Sequence, residues 1–155
     1  MSERAEALAA QFEQANNDLI KAVESMSDAQ WKATCTSEGW PVGVTAHHVG
    51  GGHHAIGGLA QAIANGQPVP PLSMEQINQG NAQHAQQYAN CNKAETLELL
   101  RRDGDAAASM VRGLSDEQLQ RSASVIGNQM TAEQVIQNIL IGHVQMHGAS
   151  IKQAI

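Results

Sequence analysis

The sequence predicts an all-α protein, a four-helix bundle with a long crossover between its second and third helices. Three observations carry that expectation. Apolar residues recur at threes and fours over four long segments, the period of a helix buried on one face. The apolar stock is Ala, small aliphatics and Met, with aromatics at only 3%, which suits closely packed helices better than a sheet of β-branched and aromatic pairs. The chain has 155 residues, the size of one domain (1–155) that buries roughly two-thirds of its unfolded surface.

The first helix runs from about Glu3 to Ser25, with Ala5, Leu8, Phe12, Ala15, Leu19 and Val23 on its stripe. The second runs from about Val44 to Asn65 and stops at Gly66, because Gln67-Pro68-Val69-Pro70-Pro71 cannot continue a helix. A polar, Gln- and Asn-rich stretch from Ser73 to Asn90 follows, expected to form one or two helices over an end of the bundle. The third helix spans about Lys93 to Gly113, with Leu97, Leu100, Ala107 and Val111 on one side. The fourth starts at Thr131, a suitable N-cap, and continues to the C-terminus. Ser25-Met26-Ser27-Asp28-Ala29-Gln30-Trp31 echoes Gly113-Leu114-Ser115-Asp116-Glu117-Gln118-Leu119, each after a long helix and each opening a Ser- or Asp-capped turn. Two helix–turn–helix halves make a four-helix bundle the natural assembly.

Charge and composition narrow the function. The net charge is −6 and no run of Lys or Arg occurs, which argues against nucleic acid as a partner. No apolar run approaches the ~20 residues of a membrane span, and Met-Ser-Glu-Arg reads as the start of an acidic helix rather than a signal peptide. Cys35 and Cys91 lack CxxC spacing and are expected to be reduced thiols in a cytoplasmic protein.

The histidines carry the chemistry. Residues 40–54 read WPVGVTAHHVGGGHH, four histidines and three consecutive glycines inside a helical pattern. At 100° per residue, Val44, Val49, Ala55, Ile56, Leu59, Ala62 and Ile63 define an apolar arc with His48 near its centre. His47 and His54 share a different face with Gln61 and Asn65, which marks them as solvated, and His53 lies at the edge of the arc. In the fourth helix, Val135, Ile136, Ile139, Leu140, Val144, Met146 and Ile151 outline the buried face, opposite Gln134, Asn138, Gln145 and Lys152. His143 and His147, spaced i and i+4, fall in the middle of that face and point the same way. One inward histidine is more often a hydrogen-bonded core residue than a ligand. Three of them on two helices leave several buried nitrogens in need of partners, and no Asp or Glu occurs between Gly39 and Met74 or after Glu133. A shared cation would satisfy all three. His48, His143 and His147 are therefore the candidate metal ligands.

Trp40-Pro41-Val42-Gly43-Val44-Thr45-Ala46-His47-His48-Val49 resembles the start of the second helix in the DinB-like superfamily of metal-binding four-helix bundles. There a Trp is followed eight residues later by His and then an aliphatic residue; Trp40 plus eight is His48, in agreement with the helical wheel. His143-Val144-Gln145-Met146-His147-Gly148-Ala149-Ser150-Ile151 is similar to the family's HxxxH with its small-residue turn and Ile. The resemblance spans nearly the whole chain, including helix order and the crossover around Pro68–Pro71. Two features depart from it. Gly50, Gly51, Gly52, Gly57 and Gly58 weaken the second helix by up to ~1 kcal/mol each relative to Ala, either for close approach, with Gly52 leaving room beside His48, or as a loose or kinked turn. No carboxylate stands near the ligands to accept their second N–H, so that role would fall to carbonyls, to amides, or to Glu13, Asp103 or Asp105 from another helix.

Three neutral imidazoles favour Zn²⁺, with Ni²⁺, Fe²⁺ or Cu²⁺ as alternatives, and three protein ligands leave a position open, as in catalytic zinc sites. Such an ion lowers the pKa of a ligating water or thiol. The mycothiol-dependent maleylpyruvate isomerases and bacillithiol transferases belong to this superfamily, so the resemblance implies a metal-dependent, thiol-utilising transferase or isomerase acting on a small electrophilic substrate. The alternatives are a metal-dependent hydrolase and a non-enzymatic, stress-related bundle that binds a metal or small ligand. Homodimerisation would fit the family. Cys35 could act as nucleophile or extra ligand near the mouth, and His84 could reach over the pocket from a lid; the plainer readings are an ordinary thiol and a solvated imidazole. Trp40 reads as packing the entry of the second helix and Trp31 as core.

Overall fold

Most connections in this chain end on a Ser, Thr or Asn side chain that accepts from the first turn of the next helix. The helix that starts at Val42 is the exception, with Pro41 at its N-cap and no side-chain bond. The computed structural model describes residues 1–155. Ser2 caps α1 (Glu3–Glu24) and Ser27 caps the short α2 (Asp28–Lys32). A two-stranded ladder of β1 (Thr34–Cys35) and β2 (Trp40–Pro41) leads into α3 (Val42–Ala64). Gly66, at φ +68°, ends α3 and starts the extended crossover. Ser73 then caps α4 (Met74–Gln87) and Asn92 caps α5 (Lys93–Arg112). Ser115 caps α6 (Asp116–Gln120), and the hairpin of β3 (Ser122–Val125) and β4 (Asn128–Thr131) leads into α7, residues 132–154.

The long helices α1, α3, α5 and α7 form the bundle expected from the sequence. α5 packs on α1 and α3, and α7 packs on α3 and α1, so α1 lies diagonally from α3 and α5 from α7. Phe12, Ile63, Leu100, Ile136, Leu140 and Ile151 are fully buried between them, each worth about 1.5–3 kcal/mol of transfer free energy. No helix is long and apolar enough to cross a membrane.

The internal echo in the sequence is structural. α2 and α6 carry the same reciprocal capping box, Ser27 with Gln30 and Ser115 with Gln118. Each is followed by an antiparallel ladder and then a long helix. The first amide of each long helix bonds back to the carbonyl that ends the short one, Val42 N–H to Ala33 (2.7 Å) and Ala132 N–H to Arg121 (2.9 Å). These two diagonal connections aim α3 and α7 at each other. The β3–β4 hairpin was not foreseen, since Ser122–Thr131 lacks the alternating apolar pattern of a half-buried strand.

Two local departures bear on the site. α7 opens with an α-turn (Ala132–Gln134), widens to π geometry over Val135–Ile141, and returns to α over Gly142–Ala154. A 100° wheel loses register across the wider turns, which is why Met146, expected on the buried face, is 60% exposed. The Gln- and Asn-rich stretch forms the single helix α4, without a buried residue, and its end brings His84 and Tyr88 against His47 of α3.

Candidate metal centre

The two diagonal connections bring together the three histidines expected from the sequence. His48 lies in the second turn of α3, its ring edge-on to Trp40 with centroids 5.2 Å apart. His143 and His147 project from α7 one turn apart. Nε2 of His48 and Nε2 of His143 are 2.9 Å apart, and one ring nitrogen from each of the three lies within 4.8 Å of the others. Two nitrogens on one tetrahedral Zn²⁺ at about 2.0–2.1 Å stand roughly 3.4 Å apart, inside that spread. The donor set fits a divalent cation.

The surroundings fix these rings in place. His147 Nδ1–H donates to Glu38 Oε1 (3.2 Å), and Ser150 Oγ–H donates to Glu38 Oε2 (2.6 Å). The bond leaves His147 Nε2 free for another partner. The orienting carboxylate is thus Glu38, on the turn between β1 and β2, and not one of the three acids expected. Glu13 is held by Arg112, Asp103 by Arg102, and Asp105 is exposed. Glu38 stands one residue outside the acid-free window that begins at Gly39; the β1–β2 ladder, with Gly39 at φ +72°, folds it back onto α7. Ring clearance at His143 comes from Gly52, where a Cβ would lie 2.7 Å from His143 Cε1 and 2.9 Å from Nδ1. Gly50 admits Leu99 in the same way, at 2.8 Å, whereas Gly51 and Gly58 face open space. Close approach therefore explains part of the glycine run, and Gly52 serves His143 rather than His48.

Burial, reinforced by the neighbouring imidazoles, pushes the pKa of His143 down to about 3 and of His48 to about 4. Both rings are neutral at pH 7, the form that ligates metal. His143 Nδ1 is buried with no hydrogen-bond partner.

The remaining sequence candidates sort differently. His53, placed at the edge of the arc, is 1% exposed, since α3 packs against both α5 and α7 and so buries a wide sector. His47 is half-buried, stacked on Tyr88 with centroids 3.9 Å apart, and shares a 2.8 Å contact from Nδ1 to His84 Nε2. His84 lines the cavity above the triad, so the lid reading of that residue is the one the structure supports. His54 is exposed. Cys35 is fully buried and its thiol pKa is raised by burial, which removes it as a nucleophile. Trp40 lines the cavity beside His48, and half-buried Trp31 packs over Gly43 and donates Nε1–H to the Cys91 carbonyl (3.2 Å).

A cavity of about 1010 Å³ opens over the triad, walled by α3, α4, α7, the crossover and the tip of the β3–β4 hairpin. The family model of the DinB superfamily matches residues 11–151. The chain belongs to the DinB superfamily. The diagonal helix order and the His48, His143, His147 cluster are thus seen in a DinB chain. Among solved structures, YfiT from Bacillus subtilis, described as a probable metal-dependent hydrolase with an unusual four-helix bundle topology, superposes with a TM-score of 0.78. It is 19% identical, over 99% of this chain and 87% of that one, a likeness of fold. No curated protein matches the chain.

Proposed function

We propose that His48, His143 and His147 hold one divalent ion, Zn²⁺ first with Ni²⁺ or Fe²⁺ as alternatives, and that the chain is an enzyme transferring or adding a low-molecular-weight thiol to a small electrophile. The observation that carries the reading is the meeting of three imidazoles, two of them held neutral by burial, at the inner end of a cavity. A divalent cation there would acidify a ligating thiol or water and present it as a nucleophile. The protein's own part is positional. Glu38 sets the His147 tautomer, Gly52 leaves space for the His143 ring, and Trp40 backs His48.

The absence of a lining carboxylate supports thiol chemistry. Glu38 is engaged by His147 and Ser150, and no Asp or Glu faces the cavity, so no side chain there offers the carboxylate general base that assists many metal hydrolases. A thiol acidified by the ion needs no such base. The second reading is a hydrolase; His84, with Nε2 held by His47 and a ring that lines the cavity, is the residue that could accept a proton from water. Zn²⁺-loaded protein offered thiols with an electrophile is expected to turn over, and His143→Ala to lose roughly two orders of magnitude or more. Turnover that ignores His143→Ala removes the mechanism. Ester hydrolysis without thiol selects the second reading, and tight metal binding with neither reaction selects the non-enzymatic bundle.

A further inference from the structure

Twenty-two residues line the cavity over the triad, and none is Asp, Glu, Lys or Arg. Apart from the three histidines, the polar side chains are His84, Asn81 and Ser124; the rest is aliphatic, Pro, Gly, Met and one Trp. A charged ligand body would be stripped of water there with nothing of opposite sign to meet it. The volume, about 1010 Å³, is at the upper end of small-molecule sites and far exceeds what a group seated at the histidines alone would fill.

The rim is apolar as well. Leu72, Ile126 and Met146 are exposed by 50%, 40% and 60%, and all three line the cavity, from the crossover, the hairpin tip and α7 respectively. Ile126 carries a further mark. It and Gly127 form the two-residue turn between β3 and β4, both with positive φ (+50° and +77°). Such turns favour Asn, Asp or Gly at the first position, and a β-branched residue is costly there. The strain is tolerated where it sets an apolar side chain on the cavity mouth.

We propose that the substrate is an uncharged molecule with a long apolar body, alkyl or aryl, its reactive end at the triad and its body running out past Leu72, Ile126 and Met146. The proposal takes from the functional reading only the location of the reactive end. It sets the electrophile apart from carboxylate- or phosphate-bearing metabolites.

The test is calorimetric titration of the Zn²⁺-loaded and the metal-free protein with 1-alkanols of increasing length and with alkanesulfonates of matching length, which ligate cations poorly. Alkanol affinity is expected to rise roughly three- to fourfold per methylene, with each sulfonate at least about tenfold weaker. Ala55→Arg, which sets a cation on the cavity wall from exposed Ala55 on α3, is expected to narrow or reverse that gap. A Leu72→Ser/Met146→Ser double variant is expected to weaken the longest alkanols most. Equal binding of sulfonates, affinity independent of length, or no alkanol binding overturns the proposal. So does a rim double variant that changes only self-association, since the rim would then belong to a second copy of the chain. Loss of metal binding or of thiol turnover leaves the metal-free titration readable, so the two readings fail separately.

Discussion

Two histidines five residues apart on α3 sit in opposite settings. His53 lies in the core, edge-on to Phe12, with Nε2–H donating to Asn16 Oδ1 (2.7 Å) while Asn16 Nδ2 donates to the Leu100 carbonyl (2.9 Å). Gly104 makes the Asn16 position possible, since a Cβ there would fall 2.2 Å from Asn16 Nδ2. At His53 the protein supplies its own hydrogen-bond acceptor, and the ring serves packing. His48 meets only rings: His143 at Nε2, with His147 and His84 close by. Both imidazoles are depressed to about 4 by burial, so pKa alone does not separate them. What separates them is the kind of partner: Nε2 of His53 meets an amide oxygen, with its buried Nδ1 left without a partner, whereas Nε2 of His48 meets only another imidazole.

The sharpest way to break this contrast is to delete each kind in turn. His53→Ala leaves a cavity and an unanswered Asn16 oxygen, and is expected to cost about 3–5 kcal/mol in urea denaturation of the metal-free protein, with metal still bound in a one-to-one ratio. His143→Ala is expected to do the reverse, abolishing metal uptake in equilibrium dialysis while costing metal-free stability much less. If His53→Ala emptied the centre as completely as His143→Ala, the two settings would not be distinct.

Much of this contrast was legible in the sequence. The inward set of His48, His143 and His147 agrees with the helical period. α3 holds its register throughout, and His143 and His147 both lie in the α-helical Gly142–Ala154, beyond the π turns that separate them from the start of the stripe. The fate of His53 was not legible. Its partner, Asn16, is 37 residues away on α1, and a polar residue on an amphipathic helix gives no sign of which face a later helix will cover. Glu38 escaped for a related reason: a two-residue ladder carries no periodic signal, yet it delivers the carboxylate to α7. The placement of Met146 failed through the π turns, which no pattern of residue types announced. Period-based reasoning recovers what lies along one helix and misses what short, aperiodic segments carry across.

pH offers a second way to sharpen the comparison. The unfolded imidazole titrates near 6.5 and folded His53 near 4. A depressed pKa stabilises the fold above 6.5, and that contribution drains away as pH falls from 6.5 toward 4, by on the order of 3 kcal/mol. His53→Gln can keep the bond to Asn16 but has no proton to gain. Metal-free wild type is therefore expected to lose more stability than His53→Gln across this window, by that amount. Parallel loss in both proteins would shift the acid sensitivity to other groups.

Glu38 tests the triad's dependence on its neighbours. Removing the carboxylate charge in Glu38→Gln is expected to lower metal affinity about 10-fold, and Glu38→Ala up to about 100-fold. Glu38→Ala is also expected to cost about 1–3 kcal/mol in urea denaturation of the metal-free protein, since the side chain is 9% exposed and its loss leaves His147 Nδ1 and Ser150 Oγ unanswered. Competition with a chromogenic chelator gives the affinities. Unchanged affinity in Glu38→Ala would show that His147 is oriented by packing alone.

The smallest expected effects separate adjacent glycines. Nothing lies within 4 Å of a Cβ added at Gly51, so Gly51→Ala should gain the helical propensity difference, up to about 1 kcal/mol, and leave metal affinity as it was. Gly52→Ala carries the same propensity gain, but its methyl would meet His143 at 2.7 Å. The ring must move or the helix must yield, so the gain is cancelled and metal affinity falls. The ring is not the free end of a flexible chain, because its Nε2 is committed to His48. Equal stabilisation by both substitutions, with metal affinity intact, would mean that Gly52 is merely a loose turn and that another contact sets the His143 ring.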